Sequence, residues 1–184
     1  MKIDILFLNN EMNGHDEYFD NDLFQEYCET HSFEGKKNQI LSVPPSYSKS
    51  ENLTFIVGLG ENKEDINFYD LGTLIGSKIN SDAEIKFLNV VEDTNLIIDG
   101  ILYVQYKFNN YKSEDDSSVN NITFQDLDSS ENEIKKHSVF WVRDLINTPA
   151  LDKSPEQFIN KVKELVDSSG IEVEVYDQKW LEEN

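Results

Sequence analysis

The organisation of this chain turns on residues 140–155, which read Phe140-Trp141-Val142-Arg143-Asp144-Leu145-Ile146-Asn147-Thr148-Pro149-Ala150-Leu151-Asp152-Lys153-Ser154-Pro155. The residues before this stretch have the pattern of one folded domain, and a new unit begins after it. Residues 131–146 are predicted to form a helix, because apolar residues recur near the spacing of one helical face. These residues are Ile134, Val139, Val142, Leu145 and Ile146. Thr148 precedes a proline, which disfavours α-helical backbone, so we expect the helix to end at Asn147-Thr148-Pro149.

A second helix is predicted to start directly after the quoted stretch. Ser154 at the N-cap, Pro155 at the first helical position and Gln157 two residues later form the pattern of a capping box. Gly170 is expected to end this helix at the position after the C-cap. Its apolar residues are expected to form a buried stripe that consists of Phe158, Val162, Leu165 and Val166.

The end of the sequence predicts part of another α/β unit. Residues 171–176 alternate between apolar and polar side chains, as a strand does, and Asp177 is placed to cap a helix at 178–183. A parallel sheet would need at least one more strand downstream. We therefore expect residues 154–184 to be the truncated start of a second domain, after a domain at 1–128 and a linker helix and join at 129–153.

Strands and helices alternate through the first 128 residues. Apolar runs predict strands at 3–8, 39–43, 53–58, 84–90 and 122–127, with helices near 23–28, 66–80 and 97–108. This alternation predicts the α/β class with a mixed sheet flanked by helices, followed by a linker helix and an incomplete second α/β unit. Gly72 and Gly76 lie four residues apart in a predicted helix, where we expect them to allow close approach to the sheet.

Charge and cysteine content limit the possible functions. The 184 residues carry 36 Asp and Glu against 16 Lys and Arg, a net charge of −20. This charge opposes binding to nucleic acid or to an anionic membrane, and no apolar run approaches the ~20 residues that span a bilayer. Cys28 is the only cysteine, so no disulfide framework is expected. The first residues predict a strand rather than a signal peptide, and we expect a cytoplasmic protein.

Few residues are candidates for a catalytic or ligand-binding role. Gly58-Leu59-Gly60 follows a strand and precedes a helix, as a phosphate-binding turn does, but the third glycine of the dinucleotide fingerprint is replaced by Lys63. A plain tight turn is therefore favoured. The remaining candidates are scattered, and we interpret them as surface or packing residues: His15, His31, His137, Cys28, the acidic run Glu114-Asp115-Asp116, and the aromatic residues Tyr106, Phe108 and Tyr111. We expect no catalytic, cofactor-binding or metal-ligating residue in this chain.

Three stretches, in matching order and spacing, resemble the leucyl aminopeptidase (cytosol aminopeptidase) family. Residues 55–60, Phe-Ile-Val-Gly-Leu-Gly, resemble its Val-Gly-Leu-Gly strand and turn. Residues 100–112 resemble its Gly-x-Leu-Leu…Tyr-x-Phe…Tyr-Lys segment, and residues 143–150 resemble its Arg-Asp-Leu-Val-Asn-Thr-Pro-Ala signature. The resemblance covers the chain from about residue 53 to the end.

The resemblance implies an N-terminal domain similar to macro domains, joined by a helix to a C-terminal catalytic domain of which residues 154–184 would be the truncated start. In the family that domain binds two divalent metal ions (Zn or Mn), removes N-terminal residues from peptides, and assembles into hexamers. None of its metal-binding motifs occurs here. Only Arg143, Asn147, Thr148 and Pro149 carry over, as structural residues of the join. The implied partners are the protein's own catalytic domain and further copies of the chain in a homo-oligomer, with peptide substrates reached only through the missing domain.

Three hypotheses follow for the function. The first is a non-catalytic N-terminal domain of a two-metal aminopeptidase that supports assembly and access to the active site. The second is a macro-like binding module for a nucleotide such as ADP-ribose, using the turn at 58–60. The third is a free-standing regulatory homologue.

Overall fold

The structure is a computed structural model that describes residues 1–109, 111, 119–167 and 169–183. The chain divides into two compact units, Met1–Phe140 and Trp141–Asn184. The predicted acidic loop with Glu114-Asp115-Asp116 lies outside the described residues. Among the helices that the structure describes, none has the length and apolar character needed to cross a membrane.

The first unit is built on a five-stranded sheet with the strand order β2-β3-β1-β4-β5. β1 pairs in parallel with both β3 and β4, β4 pairs in parallel with β5, and β2 is antiparallel to β3. The predicted α/β class with a mixed sheet is therefore confirmed. The strands are β1 (Lys2–Asn9), β2 (Ile40–Val43), β3 (Leu53–Gly60), β4 (Ala83–Phe87) and β5 (Ile122–Phe124).

Helices cover both faces of this sheet. α2 (Phe68–Gly76) and α3 (Thr94–Tyr103) pack on one face, and α1 (Asn21–Thr30) packs on the other. β1 is central and contributes to both layers, because alternate side chains of a strand point to opposite faces. Ile3, Ile5 and Phe7 join the core under α2 and α3, whereas Leu6 and Leu8 join the core under α1.

The glycines of α2 mediate a helix–helix contact rather than the predicted approach to the sheet. A Cβ atom added at Gly72 would lie 2.2 Å from the carbonyl oxygen of Ile97 in α3. Conversely, a Cβ atom added at Gly100 would lie 2.2 Å from the carbonyl oxygen of Tyr69 in α2. The two backbones touch at these glycines because neither residue has a side chain to hold them apart. The glycines thus fix how α2 and α3 lie beside each other on the sheet.

Several elements of the first unit are shorter than predicted: α2 is Phe68–Gly76 instead of 66–80, β5 is Ile122–Phe124 instead of 122–127, and β4 and α3 also end early. β4 ends at Phe87 instead of continuing to residue 90, because the side chain of Asn89 replaces its backbone as the partner of β1. Asn89 Oδ1 accepts a hydrogen bond from Phe7 N at 2.9 Å, and Nδ2 donates to Phe7 O at 2.7 Å. α3 ends at Tyr103 rather than at residue 108.

Helix α4 (Ser130–Asn147) runs across the boundary between the two units, and α5 (Pro155–Val166) and α6 (Gln178–Glu183) follow in the second unit. The predicted capping box of α5 is confirmed. Gln157 N donates to Ser154 Oγ at 3.3 Å, and Ser154 N donates to Gln157 Oε1 at 2.8 Å. Asp177 caps α6 as predicted, because its carboxylate accepts a hydrogen bond from Trp180 N at 2.8 Å.

Three predictions for the second unit are wrong. Residues 171–177 form no strand, because a strand is held by a hydrogen-bonded neighbour and no strand among the described residues pairs with them. The stripe of α5 is not buried, since no residue of that helix is. α5 ends at Val166 with Asp167 as its C-cap, so Gly170 (φ 72°) belongs to the following turn instead of ending the helix. The domain boundaries at 128/129 and 153/154 stay a prediction.

Candidate functional site

The join after α4 is a C-terminal helix cap built around Thr148. Thr148 is 5% exposed, and its backbone N donates to Asp144 O at 2.9 Å while its Oγ1 donates to the same carbonyl at 2.7 Å. The last carbonyl groups of a helix have no partner within it. One threonine therefore satisfies an α4 carbonyl twice and ends the helix where the sequence predicts.

Lys153 completes this cap from beyond the turn. Its ammonium group donates to Leu145 O at 2.7 Å and to Ile146 O at 3.5 Å. A cation is favourable here because the C-terminus of a helix carries partial negative charge. This role of Lys153 was not predicted from the sequence, where the available signal was a lysine shortly after a Thr-Pro helix stop.

The other predicted residues of the join surround the cap. Arg143 lies on α4 and is partly buried, and Asn147 is the last residue of that helix. Pro149 is exposed, with φ −57° and ψ 152°, and starts the short 3₁₀ turn Ala150–Asp152. The four residues therefore lie together at one helix end. Their described arrangement is that of a helix stop, and their role as structural residues of the join stays a prediction.

The glycines at 58 and 60 do not offer their N–H groups to a ligand. Gly58 lies inside β3, where its N donates to Gln39 O at 2.8 Å, and the N of Gly60 donates to Gly35 O at 2.9 Å. The segment that contains Gly35 lies so close that a Cβ atom at Gly58 would be 2.1 Å from Lys36 O. The predicted sharp turn at Gly58 is therefore wrong, because a neighbouring segment extends the pairing of β3. The two glycines serve backbone packing rather than a phosphate cradle.

A polar cleft of about 270 Å³ opens beside Gly60, at the carboxyl ends of the parallel strands. Ligands of open α/β sheets bind at this edge. However, Lys36 is paired with the carboxylate of Glu34, and the Lys37 ammonium donates to the backbone carbonyl of Asp65. Glu61 also lines the cleft. Both lysine ammonium groups are bound to neighbouring groups and lie near carboxylates, so the cleft does not form an anion-binding site.

The three histidines make local contacts and do not come together. His15 Nδ1 bonds Met12 O at 2.5 Å, and its ring stacks on Phe24 at 4.4 Å. His31 Nδ1 bonds Tyr27 O at 2.8 Å. The Nε2 of His137 lies 4.0 Å from a Glu133 carboxylate oxygen on the same helix. None of these contacts gives an arrangement of base and nucleophile.

Cys28 is buried in the core under α1 and is 3% exposed. Burial raises the pKa of its thiol from the ordinary value of 9.0 to about 11. A nucleophilic cysteine needs the opposite shift, toward the thiolate. The predicted aromatic residues also make packing contacts, with the Tyr106 and Phe140 rings 5.1 Å apart and the Phe108 and Tyr111 rings 5.8 Å apart.

The described residues do not fit a two-metal centre. Among them, no three His, Cys, Asp or Glu side chains are grouped closely enough to hold a metal ion. The carboxylate of Asp4 is buried, but it is used internally: it accepts hydrogen bonds from Ser50 Oγ at 2.5 Å and from Asn52 Nδ2 at 3.2 Å. No metal-dependent step is therefore assigned to these residues.

Comparisons with known proteins find similarity to cytosol and leucine aminopeptidases. No family model matches the chain. A relative described as a probable cytosol aminopeptidase, from Clostridium tetani, is 25% identical over 190 residues, which cover 89% of this chain and 38% of the relative. A solved structure of a tomato leucine aminopeptidase mutant has the same fold, with a TM-score of 0.74 at 14% identity, and covers 99% of this chain. The bottromycin maturation enzyme BotP, solved in complex with Mn, gives a TM-score of 0.71 at 15% identity over 99% of this chain and 39% of BotP.

The matched proteins are much longer than this chain. The chain spans 38% of the Clostridium tetani relative and 43% of the tomato protein, and the match lies in the N-terminal portion of such proteins. The resemblance to the leucyl aminopeptidase family is thereby confirmed. The α/β sheet flanked by helices corresponds to the N-terminal region of a leucine aminopeptidase.

Proposed function

We propose that this chain is the non-catalytic N-terminal region of a cytoplasmic leucyl aminopeptidase-like enzyme. The complete enzyme removes N-terminal residues from peptides with two divalent metal ions, Zn or Mn, bound in a catalytic domain that this chain does not contain. In this proposal the first unit is a macro-like domain that supports assembly, including a hexamer, and shapes access to the active site.

One observation carries the proposal. Nearly the whole chain is matched: 89% of it in one sequence comparison and 99% in one structural comparison. The same matches cover only about two fifths of the matched proteins. The match therefore includes the residues after the join as well as the α/β unit. A binding module that shared only the first fold would not be expected to match these proteins beyond the join.

The join gives the proposal a physical role for its four residues. Thr148 and Lys153 satisfy the last carbonyls of α4, so the helix ends at a defined residue. A defined helix end gives the chain that follows a fixed starting direction. We propose that this fixes the residue at which the catalytic domain begins in the complete enzyme.

The nucleotide-binding alternative gains no support from the described residues. Its proposed cradle needs the N–H groups at 58 and 60, and these donate to Gln39 O and Gly35 O. Breaking both bonds would leave two carbonyl groups without partners, at a cost of about 1–3 kcal/mol each if they stay buried. The free-standing regulatory homologue differs from the main proposal in the length of the natural polypeptide.

The test is an aminopeptidase assay on two samples: the pure 184-residue chain and the natural polypeptide that carries this sequence. Each is incubated with an aminoacyl anilide and Mn²⁺ or Zn²⁺. We expect no hydrolysis above the buffer rate from the 184-residue chain, and hydrolysis by the natural polypeptide that a chelator abolishes and added metal restores. Hydrolysis by the pure short chain, or an inactive natural polypeptide, would overturn the proposal.

A further inference from the structure

Asn13-Gly14 is the one place in the sequence where an asparagine directly precedes a glycine. Both residues are exposed and lie in the irregular segment between β1 and α1. Gly14 has φ 88°, a left-handed conformation that glycine adopts without strain. A Cβ atom added at Gly14 would meet no other atom within 4 Å. The backbone at this pair is therefore unhindered and open to water.

The hydrogen bonds around this pair leave its backbone nitrogen unused. Among the residues that the structure describes, none accepts a hydrogen bond from the N–H group of Gly14. The side chain of Asn13 makes one hydrogen bond, in which Nδ2 donates to Glu11 Oε2 at 2.9 Å. This bond is exposed, so water competes for both of its partners. Neither secondary structure nor burial therefore keeps the Asn13 side chain away from the Gly14 nitrogen.

We propose that Asn13 is a site of spontaneous deamidation. The backbone nitrogen of Gly14 loses its proton and attacks Cγ of Asn13, and the new C–N bond closes a five-membered succinimide ring. The side-chain nitrogen takes up the proton and leaves as ammonia. Water then adds to either carbonyl group of the ring and opens it, which gives aspartate or isoaspartate at position 13. The net reaction exchanges ammonia for water, so it needs no oxidant, reductant or enzyme.

Two other positions of the chain carry part of the same pattern. Asp99 precedes Gly100, but Asp99 is 8% exposed within α3 and accepts a hydrogen bond from Asn132 Nδ2 at 2.7 Å. The backbone N–H groups inside a helix are hydrogen-bonded, so they do not attack a side chain. Asn80 is exposed like Asn13, but it precedes Ser81, whose Cβ atom crowds the attacking nitrogen. Asn13 combines exposure, a following glycine and an N–H group outside secondary structure.

Deamidation would place a negative charge where an amide now donates to one. It would change the net charge by one unit, from −20 to −21. The hydrogen bond to Glu11 would be lost, and two carboxylates would repel each other in its place. Isoaspartate would also add a carbon atom to the backbone within the loop that His15 closes when its Nδ1 contacts Met12 O at 2.5 Å. We therefore expect the modification to loosen this loop.

The experiment incubates the 184-residue chain at neutral and at mildly alkaline pH, and peptide mapping follows aspartate and isoaspartate at positions 13 and 80. We expect Asn13 to convert at least about tenfold faster than Asn80, because glycine has no Cβ atom beside the attacking nitrogen. Conversion should be faster at the higher pH, since that nitrogen must lose its proton. Equal rates at the two positions would overturn the proposal.

A synthetic peptide of residues 9–18 measures the same reaction without the fold. The rate in the chain should lie within about tenfold of the rate in the peptide, because exposed loops open at almost no cost in free energy. A chain in which Asn13 stays intact while the peptide reacts would also overturn the proposal, since the turn would then protect the side chain.

A matched pair of variants tests the assignment by charge. Asn13→Gln should not form the more acidic species that the parent chain acquires on ion exchange, because attack on the longer side chain would close a less favourable six-membered ring. Asn80→Gln is the control and should behave like the parent. If Asn13→Gln acquires the acidic species at the parent's rate, the charge change arises elsewhere and the proposal is wrong. The measurement involves no peptidase activity, so its outcome is independent of the aminopeptidase assay.

Discussion

The substitution Gly72→Ala probes the contact that fixes α2 against α3. The new Cβ atom would lie 2.2 Å from Ile97 O and 2.8 Å from both Ile97 C and Ile97 Cα. These are backbone atoms of a buried helix, so no flexible side chain can yield, and the two helices must move apart. Overpacking of a well-packed core typically costs about 1–3 kcal/mol, and contact with backbone favours the upper part of that range.

An opposing term comes from helix propensity. Alanine is favoured over glycine inside a helix by about 1 kcal/mol. The net expectation is a loss of roughly 1–2 kcal/mol in the free energy of unfolding of the first unit. If the contact were loose, only the propensity term would remain and the variant would be more stable than the parent.

Urea unfolding followed by far-ultraviolet circular dichroism measures this difference. Tryptophan fluorescence is unsuitable, because Trp141 and Trp180 both lie in the second unit. With a slope of about 2 kcal/mol per molar urea, the middle of the usual range, the midpoint should fall by roughly 0.5–1 M. Asp70→Ala is the control, because Asp70 is exposed on the same helix and should change stability by less than about 0.5 kcal/mol. A midpoint for Gly72→Ala equal to or above that of the parent would refute the close contact.

Three further outcomes are expected. Asn132→Ala should lower the free energy of unfolding by about 2 kcal/mol, because Asn132 Nδ2 donates to Asp99 Oδ1 at 2.7 Å and to Asn95 O at 3.0 Å in a buried setting. Urea unfolding compares this variant with the control Ser138→Ala, which changes an exposed residue of the same helix. Equal unfolding midpoints for the two variants would contradict the prediction. Ser154→Ala should lower the stability of α5 by about 1 kcal/mol, because it removes the N-cap side chain. Amide exchange at 155–166 should then be about fivefold faster. Unchanged exchange would show that the capping box does not stabilise the helix. Cys28 should react with a thiol reagent at pH 8 at least about a hundredfold more slowly than an exposed cysteine of ordinary pKa, because its pKa near 11 leaves so little thiolate. Since the folded-state pKa of this thiol lies above its ordinary value, the neutral thiol stabilises the fold fully below pH 9, and this contribution is lost as the pH rises through 11. Cys28→Ala should therefore lose less stability than the parent between pH 9 and pH 11.

Local signals in the sequence predicted local structure well. The capping box at Ser154 and the helix stop at Thr148 depend on residues within a few positions of each other, and the structure places both where they were predicted. The alternation of strands and helices predicted the α/β class for the same reason. Lys153 was missed although it is close in sequence, because a lysine after a helix stop is usually a solvated side chain.

Several failures depend on partners that are distant in the sequence. Residues 171–176 alternate as a strand does, but alternation cannot supply the neighbouring strand that would pair with them. Gly72 and Gly76 predicted a close approach, yet their spacing does not say whether the neighbour is a sheet or a helix. The N–H groups of Gly58 and Gly60 were assigned to a turn because the sequence does not show that residues 35–39 run alongside them.

The mass of the natural polypeptide tests the central claim most directly. A blot of the source cells, with an antibody raised against residues 1–140, measures it without assuming any activity. Because the chain covers 38% of the Clostridium tetani relative and 43% of the tomato protein, the account predicts a polypeptide of more than about twice the 21.3 kDa of this chain. A single product of 21.3 kDa would contradict the account, since no downstream catalytic domain would then follow the join.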